Sequence, residues 1–104
     1  MGNAIARWTT PSIMYKPSAV EMNTIIEIYL VIKQNGETII EKAKEDAIES
    51  EDGYRWALTQ EETALLLRTQ SAVIQVDYKC ADGMRYTTKP KEFEVKNSAK
   101  NEAI

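Results

Sequence analysis

Apolar and polar positions alternate with a period of two through the middle of the chain. From Ile25 to Lys33, one side of an extended backbone carries Ile26, Ile28, Leu30 and Ile32, and the other carries Ile25, Glu27, Tyr29, Val31 and Lys33. That period predicts a strand. The uniformly branched first set predicts the side that faces the core. From Ala72 to Lys79 the same alternation sets Ala72, Ile74, Val76 and Tyr78 against Val73, Gln75, Asp77 and Lys79. Asn35-Gly36 supplies two residues tolerant of positive φ, as a type I′ turn requires, and predicts a hairpin into Thr38–Lys42. Asp52-Gly53 leads into a strand with Tyr54, Trp56 and Leu58 on one face, and Asp82-Gly83 leads into Arg85–Thr88. Phe93–Val95 follows Pro90, and Ser12–Lys16 lies between Pro11 and Pro17. Proline cannot donate to a ladder, so residues 12–16 read as an edge strand or one with defined ends. Ala43–Asp52 holds Glu45, Asp46, Glu49, Glu51 and Asp52 around the single apolar anchor Ile48, and a short edge strand is expected near Ile48.

The pattern changes once, between Trp56 and Leu67. A strand runs into Thr59-Gln60-Glu61-Glu62, the spacing of a capping box, and then into Leu65, Leu66 and Leu67. The expected element is a helix of one to two turns. Short strands punctuated by regular turns predict an all-β fold, an immunoglobulin-like antiparallel sandwich of about seven strands. The helix would bridge the two sheets between the fifth and sixth strands. Residues 1–10 read as an N-terminal arm, 11–96 as a single β-sandwich domain and 97–104 as a polar C-terminal tail.

Composition narrows the picture. At 104 residues, with 43% apolar and 28% charged, the chain is one domain. A domain of this size buries roughly 60–70% of its unfolded surface. A net charge of −3 argues against a nucleic-acid partner. The longest apolar runs are too short for a membrane span. The first residues lack a signal-peptide layout, and Met1-Gly2 is followed by Ala6 where a myristoylation signal has Ser or Thr. Cys80, the single cysteine, forbids an internal disulfide and points to a reducing, cytoplasmic site of synthesis.

Candidate chemistry is sparse. The chain has no histidine, so Cys80 lacks a partner base and a zinc site lacks ligands. The acidic run lacks EF-hand spacing. Glu27, Glu61, Glu62 and Asp77 are not brought together as a catalytic pair by any pattern, and no Ser-x-x-Lys or glycine-rich phosphate loop occurs. The expectation is a non-enzymatic protein with no catalytic, cofactor-binding or metal-binding residues, and no cofactor. Among the aromatics, Trp56 and Phe93 are expected in the core with tyrosines at its border. Trp8, Tyr29 and Val31 are the candidate protein-interface residues, Trp8 because it precedes the first clear strand, the others because they extend the outer face of Ile25–Lys33. Pro11, Pro17, Pro90 and the lysines near the last strand would blunt the sheet edges, so weak or no self-association is expected in isolation.

One further signal is a resemblance. Thr9-Thr10-Pro11 opens the first strand, and Val31-Ile32-Lys33-Gln34 precedes the Asn-Gly turn. Leu58-Thr59-Gln60-Glu61-Glu62-Thr63 follows, and then the turn at Asp82-Gly83. From Arg7 onward the chain resembles a family of small uncharacterised proteins found among the structural genes of tailed phages and prophages of Gram-positive bacteria. The segment Ser98–Ile104 departs from it in lacking a glycine. The resemblance implies a virion structural or assembly protein of the tail or baseplate. Its partners would be other phage structural subunits, it would locate to the virion once assembled, and it brings no catalytic residues. The alternative expectation is a small cytoplasmic module that inhibits a host protein through the acidic stretch Glu45–Asp52.

Overall fold

The computed structural model describes residues 3–104; Met1-Gly2, with the acylation question, lies outside them. The strands are β1 (Asn3–Ala6), β2 (Ser12–Tyr15), β3 (Ile25–Gln34), β4 (Glu37–Lys42), β5 (Ala47–Ser50), β6 (Gly53–Ala57), β7 (Ala72–Cys80), β8 (Arg85–Thr87) and β9 (Lys91–Lys96), with helix α1 (Gln60–Ala64) between β6 and β7. The larger sheet has the order β1-β9-β7-β3-β4, with β8 also on β7, and the smaller has β2-β6-β5. Setting β2-β6-β5 against β9-β7-β3-β4 reproduces the strand order of an immunoglobulin-like sandwich.

One detail departs from the expected antiparallel plan. Residues 3–6 of the arm form a strand, and β1 runs parallel to β9, with Asn3 opposite Phe93 and Ala6 opposite Lys96. The helix therefore follows the sixth strand in the chain. The separation of Arg85–Thr87 from Lys91–Lys96 is as expected. Pro90 removes a donor at the break between β8 and β9. There Thr88 supplies a substitute ladder: its N–H donates to the Val76 carbonyl at 3.0 Å and its Oγ1 accepts from the Val76 N–H at 2.9 Å.

The core lies between the sheets. Every second residue of β7, from Ala72 to Cys80, is buried, as are Ile28, Leu30 and Ile32 of β3. Tyr54, Trp56 and Leu58 face them from the smaller sheet. The Trp56 indole N–H donates to the Ala43 carbonyl at 2.9 Å, so the ring is buried without an orphaned donor. Tyr54 is fully buried rather than at the border, and Phe93 is only partly buried. Phe93 sits on the strand beside the open margin of the sandwich, where no second sheet covers it fully.

The face assignment fails at the start of β3. Ile26 is 49% exposed, and Ile25 is buried at 2%. The pairing of β3 with β7 shifts register between Ile25 and Glu27. A bulge inserts one residue and reverses which side chains point inward on one side of it. On β5 the anchor is likewise not Ile48, which is 66% exposed. Ala47 takes the inner position opposite Trp56, where only a small side chain is needed beside the indole.

The strand-to-helix joint forms as its sequence dictates. Thr59 Oγ1 accepts from the Glu62 N–H at 3.1 Å, and Glu62 Oε1 accepts from the Thr59 N–H at 2.8 Å. Lys42 Nζ reaches Glu62 Oε2 at 2.8 Å, tying the helix start to β4. Leu66 is buried, while Leu65 and Leu67 are exposed. The loop beyond is held by the buried Gln34 amide. Its Nε2 donates to the Leu67 and Gln70 carbonyls at 2.8 and 3.0 Å, and its Oε1 accepts from the Leu67 N–H at 2.8 Å.

Candidate protein-interaction site

Trp8 follows β1 in a turn, with φ of 63°, a left-handed backbone that few non-glycine residues adopt. The residues on either side of it are tied to α1. Thr63 Oγ1, fully buried, accepts from the Thr9 N–H at 3.1 Å and donates to the Thr9 carbonyl at 2.9 Å. Arg7 Nη2 donates to the Ala64 carbonyl at 2.9 Å. The capped helix thus fixes the turn that presents the half-buried Trp8.

Tyr29 and Val31 lie on the outer face of β3, both half-buried. Tyr29 is opposite Asp77, and Val31 is opposite Gln75 on β7 and Glu41 on β4. Trp8 is separated from them by β9 and β7 in the sheet, so the structure does not gather the three into one patch. The Tyr29 hydroxyl donates to Glu27 Oε1 at 2.6 Å. That bond and the Glu27 charge push the Tyr29 pKa above its usual value, with smaller contributions from burial, Glu45 and Glu41.

Two depressions along the flanks of the sandwich are of opposite sign. On one flank, β5 and the preceding turn face the start of β3 across a depression lined by Ile26, Glu27, Tyr29, Glu45, Ala47 and Glu49. Lys44 also lines it, with Nζ donating to the Ile25 carbonyl at 3.0 Å. On the other flank, β2 faces the β8–β9 break across a groove of about 430 Å³. Its floor is Ile13, Tyr15, Ile74, Val76 and Phe93, and its charged residues are Lys89 and Lys91. Lys91 Nζ lies 5.7 Å from the Phe93 ring centroid. Near this flank Tyr78 packs between Tyr15 and Tyr86, with ring centroids at 6.2 and 5.1 Å. Burial, followed by the Tyr15 hydroxyl, pushes the Tyr78 pKa up to about 12.

The outward face of the smaller sheet carries a row across all three strands: Met14, Arg55 and Ile48 are paired in register. All three are exposed. Reading the sequence strand by strand does not find this row, because it needs the cross-strand register. The groove is equally invisible strand by strand; its linear traces are Lys89-Pro90-Lys91 and the Pro11/Pro17 bracket around β2.

Among the described residues no group of three or more His, Cys, Asp or Glu side chains is placed to hold a metal ion. No helix among them is long and apolar enough to cross a membrane. Cys80 is buried, with Thr24 Oγ1 at 3.9 Å from its sulfur. Comparison with protein-family models, with curated proteins and with solved structures gives no match to this chain.

Proposed function

We propose that this protein is a non-enzymatic structural or assembly subunit of a phage or prophage particle, of the tail or baseplate class, made in the cytoplasm and carried into the virion by contacts with other structural subunits. The observation that carries the reading is the smaller sheet. It is a short, well-packed β2-β6-β5 layer with two open edges and an exposed row of Met14, Arg55 and Ile48. Such a surface fits docking into a larger assembly. The resemblance adds the phage context, and its most specific run, Leu58–Thr63, builds the joint that anchors the Trp8 turn. Mass spectrometry of particles and assembly intermediates from an induced lysogen is the test. The chain is expected among their components, and its absence from both would sink the reading.

A second reading is favoured by a separate observation. Glu45, Asp46, Glu49, Glu51 and Asp52 are all exposed along β5 and the turns on either side of it. As an inhibitor of a host protein, the chain would present this stretch as an anionic mimic. A host protein captured by the tagged chain and lost when these residues become Gln or Asn supports that reading; an inert capture counts against it.

A further inference from the structure

The two open edges of the smaller sheet match each other. β6 is antiparallel to both β2 and β5, so β2 and β5 run in the same direction. The Leu58 N–H donates to the Pro11 carbonyl at 2.9 Å, which sets the alternation along β2. Ile13 and Tyr15 turn their backbone groups toward β6, and Ser12 and Met14 turn theirs toward the open side. The same alternation directs Ile48 and Ser50 of β5 toward β6. The Ala47 carbonyl and both backbone groups of Glu49 then face outward, while the Ala47 N–H closes on the Lys44 carbonyl. Among the described residues none of these outward groups makes a backbone hydrogen bond elsewhere.

We propose that β5 of one molecule adds in parallel to β2 of a second copy, with Ile48 opposite Met14, extending the smaller sheet head to tail. In a parallel ladder a residue bonds to the two neighbours of its opposite number. The Met14 N–H then donates to the Ala47 carbonyl, and the Glu49 N–H donates to the Met14 carbonyl. Apolar cover and charge complementarity both favour this pairing. Met14 and Ile48, 49% and 66% exposed, come side by side and cover each other. Glu49, on the opposite side of its strand, points toward the groove that holds Lys89 and Lys91. The acidic flank with Glu27, Glu45 and Glu49 meets the basic flank, whereas β2-to-β2 or β5-to-β5 contacts would oppose like charges.

Such an interface is heterologous, so it builds a row or a ring rather than a two-fold dimer. Each junction is weak, because both edges are four residues long and β2 is bracketed by Pro11 and Pro17. The inference goes beyond the particle reading and is tested separately. Particle proteomics can fail while rows form in purified protein, and the reverse.

The experiment uses full-length Met14→Cys and Ile48→Cys chains, alone and mixed, oxidised at low salt. The mixture is expected to yield one disulfide-linked heterodimer, and the double variant a ladder. Wild type, whose Cys80 is 3% exposed, gives the background. Homodimers of either single variant as abundant as the heterodimer overturn the proposal, as does absence of linkage in chains that keep the wild-type melting midpoint. Should a variant fail to fold, sedimentation of the wild type decides. Its mass is expected to rise with concentration at about 0.05 M salt, with association weakened at least ~10-fold at about 0.5 M. A constant monomer mass, or association indifferent to salt, overturns the proposal.

Discussion

The two sheets build one core in different ways. The larger sheet spreads its contribution over many aliphatic side chains, Ile28, Leu30, Ile32, Ile74 and Val76, across its two central strands. The smaller sheet contributes a wedge of Tyr54, Trp56 and Leu58 from β6 and its continuation, flanked by two four-residue edges. A distributed layer can relax around a truncation; a wedge cannot. The smaller sheet thus concentrates packing on its inner face and leaves its edges and outer face for contacts.

The sharpest test sets Trp56→Ala against Leu30→Ala. Both residues are fully buried. Trp56→Ala is expected to cost about 3–5 kcal/mol, with the Ala43 carbonyl keeping only its bond from the Asp46 N–H. Leu30→Ala is expected to cost about 2–5 kcal/mol, and less than the tryptophan change. Denaturant titrations giving the reverse order would break the comparison. The next test asks where the larger sheet's inner face begins. Ile25→Ala should cost about 2–5 kcal/mol, while Ile26→Ala should stay within about 0.5 kcal/mol. Equal losses would mean that the bulge between Ile25 and Glu27 is misplaced.

At the joint between the sheets the effects are smaller. Thr59→Ala should lower stability by about 0.5–2 kcal/mol, read as a shift in denaturation midpoint at unchanged slope. An unchanged midpoint would remove the cap from any structural role. The last test follows Glu62. Burial pushes its pKa up, but the Lys42 hydrogen bond, the Thr59 N–H and the Lys42 charge outweigh it and hold the carboxyl below its usual 4.5. A depressed folded pKa contributes stability above the unfolded value and loses it as pH falls through the folded value. The stability gap between wild type and Lys42→Met should therefore be present at neutral pH and close on acidification below 4.5. A gap that is constant with pH would assign Lys42 a packing role only.

The sequence makes some of this legible because the information is local. The alternation of Ala72–Cys80, the Asn35-Gly36 turn with φ of 51° and 78°, and the Thr59–Glu62 box each lie within a few residues. What it hides is set by partners distant in the chain. Ile25 and Ile26 are chemically identical, so only pairing with β7 decides which one turns inward. Asn3–Ala6 is too short to show a period, and its partner lies 90 residues away. Of the candidate interface residues, Tyr29 and Val31 could be placed on an outer face from alternation alone, whereas the Met14–Arg55–Ile48 row and the lysine-lined groove exist only once three strands and two sheets are in register.

Gln34 has a consequence in time rather than in space. Its amide joins the end of β3 to carbonyls 33 and 36 residues further on, so no local segment can make these bonds early. Their closure requires segments remote in sequence to have met, so they are expected to form late, on the native side of the folding barrier. Interactions absent from the transition state slow unfolding without speeding folding. Gln34→Leu should therefore leave the refolding rate nearly unchanged and shorten the lifetime of the folded chain, making this one side chain a brake on opening.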